Sequence, residues 1–461
     1  MNAFTTYADG RPYLSPWSRF DREGRPLVRR LRSPALLVCA PEYYHANQSF
    51  GIWSLPDRST PARAAVEDQL DSGLKFYQQE IEQRSWYGYW NYGDLMRMYD
   101  EVRHQWRYDI GGWAWTNTEL LPDFWLWYSF LRTGRADTFR LAEAMTRHTS
   151  EVDVHHIGRF APLGSRHNVN HMGDGAKQPR VSQSGLKRFY YFLTTDERIG
   201  DLMHEQLPAD FTYAEVKRTD PRMPENMGEY TGAGWLDWAA YCINWLTEYQ
   251  RTRDTKWLDK IKAGMDSQLA LAAATPGRML VLGAYDPKTG KFVPRPEGTR
   301  GGRGGPRGGP AAALPPGKAG APAPAAGGRG GGADTGGPSG FDLLFGTMEV
   351  MSEMELSVDH PKYWEVFHQS VTNQTGQPLA YAAYMLKNPE LGARVWQELT
   401  NRGGRGGRPD SYAAKPALLT GPDIPNPLQE VPGRPQAAGD GHRLRVLIEE
   451  LEWVVQWAPK D

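Results

Sequence analysis

Cysteine is nearly absent from the sequence, which has only Cys39 and Cys242 among 461 residues. Two thiols can form at most one disulfide, so a disulfide framework and a zinc site built from cysteines are excluded by count. No apolar run approaches the ~20 residues of a membrane-spanning helix. Lys and Arg number 53 against 54 Asp and Glu, a net charge of −1. Such a balance provides no field to attract nucleic acid or an anionic membrane, and neither partner is expected.

Several catalytic motifs are also missing. The sequence contains no GxSxG elbow, Walker loop, Rossmann fingerprint or HExxH pair. The first ten residues lack the basic and apolar regions of a signal peptide, so the sequence leaves the cellular location open.

Glycine and proline, by contrast, are concentrated in two tracts. Residues 294–340 are nearly all Gly, Pro, Ala and Arg, a composition that buries too little apolar area to order itself and predicts a disordered insertion. The RGG repeat at 300–305 is interpreted as spacer, because it is short and the chain is neutral. A Pro/Gly-rich linker follows in the region 403–461. The alternation of apolar residues from Leu444 to Trp457 predicts a C-terminal β element, with a short helix as the alternative.

The rest of the chain has a helical pattern from Pro61 onward. An apolar helix, a short polar turn and a second amphipathic helix recur, which is typical of tight αα-hairpins. The turns lie at 130–137, 192–197, 249–255, 356–361 and 385–390. The helix count predicts a mainly α protein, with an (α/α)6 toroid of helix hairpins over 61–402 and small β elements at both ends; an open helical solenoid is the alternative. Residues 1–60, with one predicted strand at 35–39, are interpreted as the remnant of an N-terminal β domain and a linker.

Aromatic rings cluster beside glycines in the stretch before the first of these turns. Rings on loops suit sugar faces, while Asp and Asn side chains at the rim reach hydroxyl groups. An aromatic wedge between helices is the alternative. Trp90, Asp94, Trp115 and Asn117 are therefore candidate substrate-binding residues. The rings are Trp86, Tyr87, Tyr89, Trp90, Tyr92, Trp106, Trp113 and Trp115.

Two further clusters carry charged and titratable groups. The first suits an anion, since arginine presents planar donors to a carboxylate, although a structural ion-pair network is the alternative. It contains Arg103, His104, Arg107, Tyr108 and Asp109. The second combines histidines, amides and cations and indicates an acid/base and carboxylate-binding loop, with no metal expected. Its candidates are His148, Glu151, His155, Arg166, His167, Asn168, His171, Lys177 and Arg180, to which Glu229 and Tyr230 are added as substrate-binding candidates.

Long runs in this region resemble the exo-acting rhamnogalacturonan lyase family. The runs are YDEVRHQWRYDIGG (99–112), WTNTE (115–119), FLRTGR (130–135), AEAMTRHTSEVD (142–153) and GSRHNV (164–169). The resemblance is dense from about residue 86 to residue 184 and thinner to about residue 400. It implies an N-terminal β domain, a central α/α toroid and a C-terminal β domain. Because this chain has at most the end of the first part, we expect a truncated start, and full-length relatives are expected to be secreted or periplasmic.

The implied reaction is β-elimination at galacturonate in the rhamnogalacturonan I backbone. A base removes the C5 proton while a cation neutralises the adjacent carboxylate. Residue chemistry offers Arg166, Arg107 or Lys177 as that cation. It offers His167 or Tyr108 as the base, and His171 or His104 as the acid that protonates the leaving oxygen. The resemblance supports the region and assigns no individual role.

Two other functions remain open at this point. One is an (α/α)6 glycoside hydrolase acting on unsaturated uronyl oligosaccharides, which would use a carboxylate pair such as Asp94 with Glu119 or Glu229. The other is a non-catalytic carbohydrate-binding scaffold. The expected partner in each case is an acidic polysaccharide or oligosaccharide. No cofactor is expected to be required, although a role for Ca²⁺ and the oligomeric state are left open.

Overall fold

The computed structural model describes most of the helical part of the chain. The described residues are 39–88, 91–94, 96, 99–100, 105–106, 121–165, 177–219, 229–296, 337–338, 342–404, 418–421, 424–429, 446 and 448–457. Helices dominate these ranges, and the strands among them are short. The mainly α fold predicted from the sequence is therefore confirmed.

Fourteen α-helices run through the described residues up to Gly404, with further helical residues at 446 and 448–454. They are α1 (Pro41–Ala46), α2 (Pro61–Arg84), α3 (Pro122–Thr133), α4 (Ala136–Glu151), α5 (Pro179–Ser182), α6 (Arg188–Thr194), α7 (Glu197–His204), α8 (Ala209–Thr219), α9 (Trp235–Thr252), α10 (Lys256–Ala273), α11 (Thr347–Ser357), α12 (Pro361–Val371), α13 (Gln377–Met385) and α14 (Pro389–Gly404).

The strands among the described residues form four small antiparallel sheets. Three are two-stranded, and the fourth has the order β5-β6-β7. The strands are β1 (Tyr99–Asp100), β2 (Gln105–Trp106), β3 (Gly164–Ser165), β4 (Lys177–Gln178), β5 (Thr231–Gly232), β6 (Ala284–Asp286), β7 (Lys291–Val293), β8 (Leu418–Gly421) and β9 (Ile424–Gln429).

Each of the five turns predicted from the sequence separates two helices. The pairs are α3 with α4, α6 with α7, α9 with α10, α11 with α12 and α13 with α14. Local chemistry explains the boundaries. Gly134 ends α3 in the left-handed region at φ 66°, where glycine has no steric cost. Asp196 starts α7 by accepting a hydrogen bond from the backbone N–H of Ile199 at 3.1 Å. Pro361 and Pro389 occupy the first positions of α12 and α14, where no N–H is needed.

In most of these pairs the first helix lies inside and the second outside. Residues 235–248 of α9 are all buried, and so are residues 122–132 of α3. The second helices are amphipathic and keep one exposed face, as α4, α7, α10 and α12 show. The result is an α/α toroid, which confirms the predicted fold.

The ring closes through α2 and the C-terminal helical residues. Helix α2 contacts α14 on one side, and its Glu67 accepts two hydrogen bonds at 2.7 Å from Arg132 of α3 on the other. Residues 448–454 are helical and mostly buried. The ring of Trp453 packs 5.1 Å from that of Tyr381 in α13. The N–H of Ser54 donates to the carbonyl of Ile448 at 3.1 Å. The sixth pair therefore comes from opposite ends of the described chain.

This packing corrects one prediction. The strand pair expected between Leu444 and Trp457 is wrong over residues 448–457, which are helical, and the alternative of a short helix is right there. Burial of Leu451, Trp453 and Val454 against neighbouring helices decides the conformation. The described strands of the C-terminal region are β8 and β9, which lie upstream. Residues 35–38 of the predicted N-terminal strand, and residues 297–336 and 339–340 of the predicted insertion, lie outside the described residues.

Candidate functional site

The two ends of the toroid differ in their connections. The five hairpin turns are at most a few residues long and lie at one end, because the inner helices run in the same direction. At the other end, called here the site end, the inner helices begin. There Leu121 and Gln183 both lie close to Gly346, just before α11, and Gln377 of α13 donates to Glu349 of α11 at 2.9 Å. The long connections that follow α2, α4 and α10 begin at the site end, because these outer helices end there.

A buried cluster of Asp94, His148 and Asp153 lies at the site end. His148 is in the last turn of α4, and Asp153 follows the end of that helix. The Nε2 atom of His148 is 3.7 Å from a carboxylate oxygen of Asp94 and 3.7 Å from one of Asp153. The His148 side chain is 1% exposed and both carboxylates are 0% exposed. We call these three residues the Asp–His–Asp cluster.

Gly93 explains how the loop before α3 reaches this cluster. Its backbone has φ 93° and lies so close to α4 that a Cβ atom there would be 2.2 Å from the carbonyl oxygen of Ala144. Only glycine fits both the conformation and the space. The close approach places the carbonyl of Tyr92 3.1 Å from Nδ1 of His148 and sets Asp94 on the other side of the ring.

The charges in the cluster act on the imidazole in opposite directions. Burial alone lowers the pKa of His148, because a charged ring is disfavoured away from water. The negative charges of Asp153 and Asp94, together with the Tyr92 carbonyl, outweigh burial and raise the pKa above its usual value. The cluster therefore favours positive charge at its centre.

A second group, formed by His155, Ser165 and Lys177, lies beside the first. Strands β3 and β4 pair Ser165 with Lys177. The Lys177 ammonium donates to the Ser165 hydroxyl at 2.6 Å, and Nε2 of His155 lies 3.2 Å from the same oxygen. Lys177 is 4% exposed, so the ammonium is held inside the protein. Burial and the nearby Lys177 charge lower the pKa of His155 to about 4. We call this group the Lys177 hairpin.

The backbone joins the two groups. The N–H of Ser165 donates to the carbonyl of Asp153 at 3.0 Å, and the N–H of His155 donates to the carbonyl of Leu163 at 3.1 Å. Movement of either group would therefore displace the other.

A third buried group, formed by Asp123 and Lys187, supports the start of α3. Asp123 accepts a hydrogen bond from Thr149 at 3.1 Å, and burial raises the pKa of this carboxyl group to about 7. Burial lowers the pKa of Lys187 to about 8, and its ammonium donates to the carbonyl of Ser182 at 2.7 Å. Lys187 interacts electrostatically with Asp123 and Asp153. Lys187 and Asp123 therefore add two buried titratable groups next to the Asp–His–Asp cluster.

Residues 34–303 match the model of the PcRGLX-like protein C-terminal alpha/alpha toroid domain. The chain belongs to the PcRGLX-like family. The match covers both groups at the site end, and α11 to α14 follow it along the chain. It supports the resemblance to rhamnogalacturonan lyases at the level of the family and agrees with the observed toroid.

A relative of this PcRGLX-like chain is found in Bacillus subtilis (strain 168), under the name "Uncharacterized protein YetA". The two are 47% identical over 283 residues, which is 60% of this chain and 32% of the relative. This chain therefore spans about a third of the relative's length. No described helix of the PcRGLX-like chain has both the length and the apolar composition needed to cross a membrane.

Of the candidate site residues, the toroid brings together Asp94 with His148 and His155 with Lys177. Arg180 is buried at the start of α5, and its guanidinium lies over the Phe345 ring at 5.0 Å. Ten candidates lie outside the described residues, so their predicted roles stay predictions. They are Trp90, His104, Arg107, Tyr108, Trp115, Asn117, Arg166, His167, Asn168 and His171.

Other candidates take different places. Glu151 forms an ion pair with Arg198 of α7 at 2.9 Å, at the outer surface of the ring. Glu229 is exposed and lies 3.4 Å from Lys288, and Tyr230 beside it is half-buried. Trp86, the first of the aromatic residues in the predicted sugar-binding stretch, is 1% exposed and packs in the core.

Asp153, Ser165 and Gly93 were not among the site residues predicted from the sequence. Asp153 lies five residues after His148, just beyond the helix end, where a carboxylate can turn back toward the ring. The Gly93-Asp94 pair was a usable signal, because a glycine before a buried acid indicates a close backbone approach. Nothing in the sequence identified Ser165 apart from its place before the Arg166 loop.

Proposed function

We propose that this protein is a polysaccharide lyase that cleaves the rhamnogalacturonan I backbone by β-elimination at galacturonate, in an exo-acting manner. Membership of the PcRGLX-like family supports the reaction class. The observation that carries the proposal is the Lys177 hairpin, which holds the Lys177 ammonium group at the site end of the toroid. Segment 166–176, which contains Arg166, His167 and His171, connects its two strands.

Elimination at galacturonate requires a fixed positive charge. Removal of the C5 proton sends negative charge onto the adjacent carboxylate, and a nearby cation lowers the energy of that state. Lys177 meets this requirement, because Ser165 orients its ammonium at 2.6 Å and its burial limits screening by water. The base and the acid are assigned to segment 166–176 and its neighbours, with His167 or Tyr108 as base and His171 or His104 as acid.

The experiment is an absorbance assay for the unsaturated uronate, which forms only by elimination. Wild-type protein incubated with rhamnogalacturonan I is expected to produce this absorbance, with a disaccharide-sized product from the start if cleavage is exo-acting. Lys177→Met keeps most of the side-chain length and removes the charge, and it should lower kcat by about 10²–10³-fold. Lys256→Met, at an exposed lysine paired with Asp254, is the control and should retain full activity.

Other results would contradict the proposal in distinct ways. New reducing ends without ultraviolet absorbance would indicate the glycoside hydrolase. Sugar binding without any product would indicate the non-catalytic scaffold. Full elimination activity in Lys177→Met would remove Lys177 from the mechanism, and full activity in both Arg166→Ala and His167→Ala would remove the segment.

A further inference from the structure

The Asp–His–Asp cluster has the donor set of a metal site. It offers one imidazole nitrogen and two carboxylate oxygens, and these three atoms all lie within 4.8 Å of one another. They come from three places in the chain, namely the loop at Asp94, the last turn of α4 and the connection that follows this helix. We propose that Asp94, His148 and Asp153 together bind one divalent first-row metal ion of the zinc and manganese class.

The distances support an ion between the side chains better than direct hydrogen bonds. Nε2 of His148 is 3.7 Å from each carboxylate, whereas an N–H···O bond spans about 2.7–3.2 Å. Two ligands that each lie about 2.1 Å from a metal, at angles near tetrahedral or trigonal, are about 3.4–3.6 Å apart. Both separations are close to that spacing.

The other ring nitrogen provides an independent observation. Nδ1 of His148 lies 3.1 Å from the backbone carbonyl of Tyr92. A carbonyl can only accept, so Nδ1 carries the proton, and Nε2 is the nitrogen that faces the two carboxylates. Metal-binding histidines are oriented in this way by a carbonyl or carboxylate behind the ring. Because Gly93 holds that carbonyl against α4, the orientation is built into the fold.

The donor types indicate which ions fit. Calcium takes six to eight oxygen ligands and does not favour imidazole, while zinc and manganese accept a nitrogen together with carboxylates. Two adjacent carboxylates buried at 0% exposure also favour a positive charge between them, because an ion offsets the cost of removing both from water. The ion would tie the Asp94 loop to α4 and to the backbone that holds the Lys177 hairpin. This stabilising role does not depend on the lyase reaction.

The test measures metal content and stability. The full chain is dialysed against a chelator, equilibrated with Zn²⁺ or Mn²⁺, separated from free metal and analysed for bound ions. Wild type is expected to hold one ion per chain and to gain several degrees in Tm. Asp94→Asn and Asp153→Asn should each weaken binding at least a hundredfold and abolish the gain in Tm. Ca²⁺ at the same concentration should give neither effect.

Asp123→Asn is the matched control, because Asp123 is also 0% exposed and lies in the same region without belonging to the cluster. It should bind one ion as wild type does, and circular dichroism of each metal-free variant establishes that it is folded. If a cluster variant does not fold, Co²⁺ added to wild type provides a second measurement. Visible bands without thiolate charge transfer are expected from nitrogen and oxygen ligands.

Three results would overturn the proposal. The first is a wild type that binds no ion, which would show that the cluster is stable without a metal. The second is an ion that persists in Asp94→Asn and Asp153→Asn, which would place it elsewhere. The third is equal loss of binding in Asp123→Asn, which would show a general effect of altering the region.

Discussion

Replacement of Gly93 by alanine should destabilise the protein far more than the same change at Gly158, which also has a positive φ. The added Cβ would lie 2.2 Å from the Ala144 carbonyl oxygen and 3.0 Å from Cβ of His148. Cβ atoms in proteins do not approach other atoms closer than about 3.0 Å, and the carbonyl is fixed in α4. The loop must therefore retreat by about 0.8 Å or more.

The free-energy cost has three parts. The left-handed conformation of an alanine contributes about 1 kcal/mol. A retreat of this size stretches the 3.1 Å contact between the Tyr92 carbonyl and His148 beyond hydrogen-bond range, and loss of that bond contributes about 1 kcal/mol. Looser packing of the loop on α4 adds about 1–2 kcal/mol. The free energy of unfolding should fall by about 3–4 kcal/mol.

Gly158 provides the control for conformation alone. Its φ is 82°, yet a Cβ atom there would meet nothing within 4 Å. Gly158→Ala should therefore lower the free energy of unfolding by only about 1 kcal/mol. Both variants are compared with wild type by equilibrium unfolding in urea. Equal losses in the two variants would refute the argument that close approach to α4 is what requires glycine at position 93.

Two further predictions concern buried charges. Arg132→Met should lower the free energy of unfolding by about 3–5 kcal/mol, because Glu67 then stays buried without the guanidinium that donates to both its oxygens. Arg135→Met, which removes an exposed ion pair, is the control and should lower it by less than about 1 kcal/mol. Similar losses in the two variants, measured by urea unfolding, would contradict this prediction. Asp123→Asn tests pH dependence, because burial raises the pKa of the Asp123 carboxyl group to about 7 in the folded state, against 3.8 in the unfolded state. Between these pH values the folded state binds the extra proton, so the stability of wild type should fall relative to that of the variant as pH rises from 4 to 7. Parallel stability profiles of the two proteins over this pH range would rule this out.

The helical framework was predictable because its signals are local. The turn between Phe130 and Asp137 contains a glycine stop and a polar restart within eight residues, and both act through nearby backbone. Turns of this kind determine how many helix hairpins form, and the packing of these hairpins side by side gives the toroid. The segment from Ile448 to Trp457 was harder, since its apolar alternation suits a strand. Only the buried surface of α13 and its neighbours makes it a helix.

The site was predictable in part, for a physical reason. His148 lies seven residues after Leu141 and three after Met145, a helical spacing that predicts an inward side chain, and it is buried. Its partners could not be found in that way, because Asp94 reaches it through tertiary packing against α4 and Asp153 lies beyond the end of the helix, where helical spacing no longer applies. The Lys177–Ser165 contact also depends on the register of a short strand pair, which spacing in the sequence does not determine.

The separation of short turns from long connections also determines where the chain can change length. The hairpin turns hold adjacent helices in contact, so extra residues there would disturb packing directly. At the opposite end, a connection such as 274–283, between α10 and β6, joins elements that are already fixed by the ring. Closing a flexible connection costs only about 0.6 kcal/mol more for each doubling of its length. Evolution can therefore lengthen, shorten or exchange these segments almost independently of the scaffold, and the same ring of helices can carry sites of very different size and specificity.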